Sequence, residues 1–233
     1  MSRFFARAMR RLRHEDAGFS LPELMVTIFV MGVLSAVVVS FYVAMTGAFT
    51  EDRSATDSTS TASVGMNNLT RVIRAGTEIR VQGQTLNNPV FIEAKNEDLT
   101  LHAYLDTDST DPRPIKVRFW INAQRELMET RWDSTRVNGS YFVFDSTPES
   151  TRVIARTVAT RTGTDPWLFT YRAADGTVQP VPTTGSFTTN QLRNIASVQV
   201  RLTVQADITS RAAPVTLQST VGIPNLGISR VSP

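Results

Sequence analysis

The sequence predicts an α+β protein: one long N-terminal helix, its first half embedded in a membrane, packed on an external antiparallel β-sheet domain. Three observations carry this. No Asp, Glu, Lys or Arg occurs in the 27 residues from Leu24 to Thr50, a run longer than the roughly 20 residues that span a bilayer core. Beyond it, Ala62, Met66, Leu69 and Ile73 recur at spacings of four, three and four, which is one face of a helix. From Glu78 onward the period changes to two, the alternation of half-buried strands.

The first element is a basic leader, residues 1–18, holding Arg3, Arg7, Arg10, Arg11 and Arg13 against Glu15 and Asp16. Arginines before an apolar helix favour a cytoplasmic N-terminus with the rest of the chain outside. A secretory signal peptide would have a short apolar core and a small-x-small cleavage site on its far side. Here the apolar run is too long, and the small residue, Gly18, precedes it. Glu23 stands at the mouth of the run. A carboxylate entering a membrane is costly and marks function by default.

Gly18-Phe19-Ser20-Leu21-Pro22-Glu23-Leu24-Met25-Val26-Thr27 resembles the prepilin cleavage and methylation motif of type IV pilins and pseudopilins. The resemblance implies that a membrane prepilin peptidase cuts between Gly18 and Phe19 and methylates the new amino terminus. Glu23 would pair with the terminal amine of a neighbouring subunit, so other pilin or pseudopilin subunits are implied partners. Gly32 matches a glycine often found in the middle of such helices. Many pilins carry a proline further along; Ser40 is nearest here, which leaves a kink without its usual cause.

Residues 19–50 are therefore expected to form the transmembrane and assembly helix, and 51–76 its extramembrane half with a linker. Arg71 and Arg74 in the last turn and Gly76 after it read as a helix end with a glycine cap. The stretch Ser54–Ser63 is rich in Ser, Thr and Asp, which leaves continuous helix and short linker equally open. Residues 77–233 form the β-rich external domain. Ile115, Val117, Phe119 and Ile121 alternate with polar or wet positions, as do Trp167, Phe169 and Tyr171, then Val198, Val200, Leu202 and Val204, then Val215, Leu217 and Val221. Asn138-Gly139 and Asp175-Gly176 are turn signals. Met66–Gly76 and the order of the later strands resemble the J-type minor pseudopilins and related minor pilins.

Composition removes several function classes. The chain carries formal charge +3, but the leader alone accounts for it. Beyond residue 18 there are 19 basic and 19 acidic residues, so the net-charge footprint of a nucleic-acid binder is missing. Residues 78–150 hold 12 acids and 8 bases, and residues 151–233 hold 3 acids and 8 bases. That asymmetry reads either as two solvated surfaces or as complementary faces for head-to-tail contact between subunits. With no cysteine, disulfides, thiol catalysis and a lipoprotein anchor are excluded.

Chemistry is scarce. Of two histidines, His14 lies in the leader and His102 sits among Leu101, Tyr104 and Leu105, so His102 is expected to be a structural strand residue. No nucleophile–base pair can be assembled, and no enzyme is expected. Asp106, Asp108 and Asp111 are the one acidic cluster. Calcium is their only candidate ligand, but Thr110 occupies the third ligand position of an EF-hand-like loop and Ser109–Pro112 lacks its glycine. A polar turn is the favoured reading, and no cofactor is expected.

The expectation is a minor pilin or pseudopilin subunit of a type IV pilus or type II secretion-like filament, held in the cytoplasmic membrane before assembly. The alternative is a membrane-anchored surface adhesion or binding module that never polymerises.

Overall fold

The computed structural model of the chain describes residues 19–80, 86–105, 110, 112–139, 141–183, 185–206 and 213–226. Gly18, Asp106, Asp108 and Asp111 lie outside the described residues. In chain order the elements are α1 (Leu21–Arg74), β1 (Phe91–Ala94), β2 (Asp98–Ala103), β3 (Ile115–Ile121), β4 (Leu127–Trp132), β5 (Ser134–Val137), β6 (Tyr141–Phe144), β7 (Ser150–Ala155), β8 (Phe169–Arg172), β9 (Val178–Gln179), α2 (Thr189–Arg193), β10 (Ser197–Val204) and β11 (Val215–Gly222). Two compact units divide the chain, one ending at Thr50 and the other beginning at Glu51.

α1 is helical without interruption for 54 residues, so the Ser/Thr-rich stretch is helix and not linker. Hydroxyl side chains usually disfavour helix interiors because they compete for backbone groups. Here they join the ladder instead: Thr56 donates to Asp52 O, Ser58 to Ser54 O and Thr59 to Ala55 O at 2.8–2.9 Å. Ser58 Oγ also accepts the Ala206 amide at 3.0 Å, tying the helix to the chain after β10. Glu23 in the first turn and Arg71 and Arg74 in the last complement the helix dipole.

Three antiparallel sheets follow. Their strand orders are β1-β2-β3-β4-β7, β11-β10-β8-β9 and the hairpin β5-β6. The two larger sheets meet at a seam. Val158 bridges to Val204, Ala159 N donates to Thr203 O at 2.9 Å, and Gln205 N donates to Thr157 O at 3.0 Å. Residues 58–74 of α1 run antiparallel to β10 beside this seam. Ser58 meets Ala206, Gly65 lies against Leu202, and Arg74 shares a shallow hollow with Ala196 and Ile223.

The core is one cluster drawn from α1 and both large sheets. Ala62, Leu69, Val72 and Ile73 of the helix join Phe91, Leu99, Leu101, Val117 and Phe119 from one sheet and Phe169, Val198, Val200 and Leu202 from the other, all fully buried. Each large apolar side chain so placed contributes about 1.5–3 kcal/mol. At Gly65 a β-carbon would stand 2.8 Å from Leu202 Cδ2 and 3.1 Å from the Ala155 β-carbon, so a missing side chain is what lets the helix approach the seam.

Two expectations need correction. Gly76 is not a left-handed cap. It bridges to Ala103, and a β-carbon there would meet Val90 Cγ1 at 2.8 Å and Ile73 O at 2.9 Å. Close approach, not φ, requires the glycine. Trp167 does not continue the buried row of Phe169 and Tyr171; it precedes β8 and is 38% exposed, with Arg161 stacked 4.4 Å from a ring centroid. Asn138-Gly139 does turn β5 into β6, both residues at positive φ. His102 is buried in β2, its Nδ1 3.2 Å from Pro89 O and its ring stacked on Phe144.

The core also holds a charge that the alternation hides. Glu129 of β4 occupies an inward position with no side-chain exposure. Arg131 Nε and Arg152 Nε each donate to one of its carboxylate oxygens at 2.7 Å. Arg131 Nη2 also lies 2.6 Å from Oε1 but off the hydrogen-bond line. A buried carboxylate held this way costs much to strip of its partners, even where it adds little net stability.

Candidate processing and assembly site

The N-terminal site is built by the first turn of α1. Leu24 N donates to Ser20 O at 3.0 Å, the first bond of the helical ladder, so Ser20 occupies the N-cap position. Pro22 falls in the first turn, where its missing N–H would have no intrahelical partner. Glu23 is then the third helical residue. A carboxylate there is favoured by the dipole by about 0.3–1 kcal/mol, and Ser20…Glu23 has the spacing of a capping box. Glu23 thus has a local role that sequence reasoning did not credit to it. Phe19, just before the helix, is 78% exposed.

From Phe19 to Thr50 every residue is exposed except half-buried Gly47. The polar atoms of this surface are largely internalised: Thr27 donates to Glu23 O, Ser40 to Ala36 O, Thr46 to Tyr42 O and Thr50 to Thr46 O at 2.8–3.0 Å. A hydroxyl so engaged enters hydrocarbon at far lower cost than a free one. Among the described residues α1 is the one helix long and apolar enough to cross a membrane.

Of the expected site residues, the structure places Phe19 and Glu23 within one helical turn at one end of this surface. It brings no second carboxylate or cation to Glu23 among the described residues. No group of three or more His, Asp or Glu able to hold a metal occurs among them either.

Sequence reasoning missed a second location. At the seam of the two large sheets a cleft of about 390 Å³ is lined by Glu97, Arg125, Arg161, Asp165, Arg201 and Thr216, among others. Arg125, at φ 57°, chelates Glu97 through both terminal nitrogens at 3.0–3.2 Å and also donates to Val158 O and Ala159 O. Arg201 pairs with Asp165 at 3.3 Å. Arg161 Nε donates to the Asp165 carbonyl at 2.5 Å. The alternation of β10 places Arg201 on the wet face, but nothing local to the sequence says that residues 97, 125, 161 and 201 meet.

An exposed apolar half-helix with an acidic first turn, continuous with a helix end packed on antiparallel sheets, defines a membrane-anchored, single-pass α+β protein. A family model described as the prokaryotic N-terminal methylation motif matches residues 13–39. The match spans the leader's end, the Gly18–Phe19 junction, Glu23 and the helix as far as Val39. It supports a pilin- or pseudopilin-type precursor and implies prepilin peptidase processing and membrane association. No curated protein matches the sequence.

Proposed function

We propose that the chain is a minor pilin or pseudopilin subunit. Prepilin peptidase removes residues 1–18, Phe19 becomes the methylated N-terminus, and α1 carries the subunit into a type IV pilus or type II secretion-like filament. The single observation behind this is the coincidence of the methylation motif with a helix whose residues up to Thr50 are exposed, apart from half-buried Gly47. The minor assignment rests on the J-type resemblance and on a large, irregular external domain. The arginine-rich leader supports a cytoplasmic N-terminus and an external C-terminal domain. In assembly, the Glu23 carboxylate pairs with the Phe19 amine of a neighbour. In low dielectric that attraction is strong but largely offset by desolvation, so the pair sets register as much as affinity.

The second reading, a membrane-anchored surface adhesion or binding module that does not polymerise, is favoured by the local capping position of Glu23. Two variants separate the readings. Gln at position 23 keeps a capping-box partner but not the charge; Leu keeps neither. Partner pilins are recovered from detergent extracts of the native host, with processing checked in parallel. Assembly through the ion pair predicts that Glu23→Gln and Glu23→Leu both insert and are cleaved, yet recover little partner. Wild-type recovery with Glu23→Gln would assign the residue to capping and favour the anchor.

A further inference from the structure

Each large sheet has two edges, and three of the four carry a feature that blocks further pairing. β1 has a register shift between Phe91 and Glu93 and a charged Glu93–Lys95 pair. β7 carries Arg152 and lies across a register shift from β4. β9 is two residues long. Bulges, charges and shortness are the devices that keep sheet edges from recruiting strands.

β11 has none of them. Its eight residues, Val-Thr-Leu-Gln-Ser-Thr-Val-Gly, are uncharged, contain no proline, and pair with β10 in unbroken register. Odd-numbered residues of β10 turn their backbone groups away from β11: Arg201 N donates to Leu168 O, and Thr203 O accepts from Ala159 N. The even-numbered ones therefore bond to β11, through Val215, Leu217, Ser219 and Val221. Ile223 N donating to Ala196 O continues that parity. Among the described residues no strand pairs with the other side of β11, where the N–H and C=O of Thr216, Gln218 and Thr220 point, and all three are exposed.

The edge borders the seam cleft, which Thr216 lines. Arg201 stands directly opposite Gln218, and Thr203 opposite Thr216, their hydroxyls 2.9 Å apart, so these side chains share a face. In the cleft Glu97 answers Arg125 and Asp165 answers Arg201. Among the described residues Arg161 has a backbone carbonyl and the Trp167 ring but no carboxylate, which leaves one positive charge over beside this strand edge.

We propose that β11 receives an extended segment of a different protein as an added strand, with a carboxylate of that segment directed into the cleft toward Arg161 and Arg201. An added strand would lie roughly 10 Å from β10, two strand spacings, within joint reach of an arginine and a glutamate side chain. Backbone bonds to the edge supply affinity and the charge supplies register. A second copy of this chain does not supply that carboxylate: its β11 has no acidic residue, and its β1, β7 and β9 edges are blunted.

The test uses the full chain in detergent micelles. The probes are capped octapeptides alternating Thr and Val, one with a single Glu on the Thr face and one with Gln in its place. The Glu peptide is expected to slow amide exchange at Thr216, Gln218 and Thr220, leaving the already bonded Leu217 and Ser219 unchanged. The Gln peptide is expected to bind about five-fold more weakly, the scale of a partly exposed ion pair. Arg161→Gln should bring the Glu peptide to that same level. Gln218→Pro removes an outward N–H without taking a bond from β10 and should abolish the protection. Thr220→Lys, which charges the edge, should do the same if Gln218→Pro fails to fold. Unchanged exchange at the three amides at any soluble peptide concentration would overturn the proposal, as would binding indifferent to Gln218→Pro and Thr220→Lys. The native chain has no cysteine, so disulfide dimers of Gln218→Cys in native membranes would show a second copy on the edge and would overturn it too. None of these readouts depends on processing at Gly18.

Discussion

The two halves of α1 share one backbone and differ in everything around it. Between Ser58 and Ile73, seven residues are buried against the chain's own sheets. Between Leu21 and Thr50 none is, although Leu24, Val30, Leu34 and Met45 are as apolar as anything in the core. The outer half is amphipathic and meets its partners inside the molecule. The inner half is apolar on every side, the pattern of a helix whose surroundings are lipid or other helices. Hydroxyls in both halves bond to carbonyls one turn back, but among the described residues only Ser58 takes a further bond from the sheet domain. One helix therefore serves two solvents, and the change falls where charge returns, at Glu51 and Asp52.

The strongest way to break this comparison is to separate the halves. With residues 1–50 deleted, residues 51–233 are expected to be soluble, monodisperse by size exclusion and mostly β by circular dichroism. A product that stays in the membrane fraction, or that is unfolded, would mean that the inner half supplies structure to the domain.

Single substitutions sharpen it. Leu69 is fully buried, and Leu34 is 55% exposed. Leu69→Ala is expected to cost the domain about 4 kcal/mol, the range for buried leucine truncations. Leu34→Ala should leave domain unfolding unchanged. Urea melts in detergent compare them, and equal losses would deny the division between the halves.

A smaller effect lies within the outer domain. Burial, with Lys116 nearby, lowers the His102 pKa from 6.5 to about 4, against the pull of the Pro89 carbonyl. The folded state then binds the proton less readily than the unfolded chain. Stability is full above about pH 6.5 and falls as the pH drops toward 4, by about 3 kcal/mol in all. His102→Phe should flatten the slope in denaturant melts between pH 7 and pH 4.5. A slope as steep in the variant would assign the acid sensitivity elsewhere.

The long-range plan of the molecule was legible because it rests on period and composition. The Ala62–Ile73 face and the β10 alternation appear in the structure as read, down to the fully buried Val198, Val200, Leu202 and Val204. What was not legible depends on contacts between distant segments. Gly76 looked like a cap because glycine after a helix usually is one; only Val90, fourteen residues on, shows why it must be small. The burial of Glu129 was not legible because its two arginines, one of them on β7, meet it only in the folded sheet. The seam cleft joins five loops and strands spread from residue 97 to residue 216. At the N-terminus the motif was readable residue by residue, whereas the place of Glu23 in the first helical turn required the helix start to be seen.

The Gly18–Phe19 bond is where the pilin-type reading meets its most direct test. Gly18 has no side chain to obstruct backbone entry into a peptidase cleft, and cleavage there would leave α1 with a free amine one turn before Glu23. Intact-mass analysis of the membrane form from its native host measures this. The expected mature chain begins at Phe19 and carries one added methyl group. A mature chain that still begins at Met1 or Ser2 would contradict it.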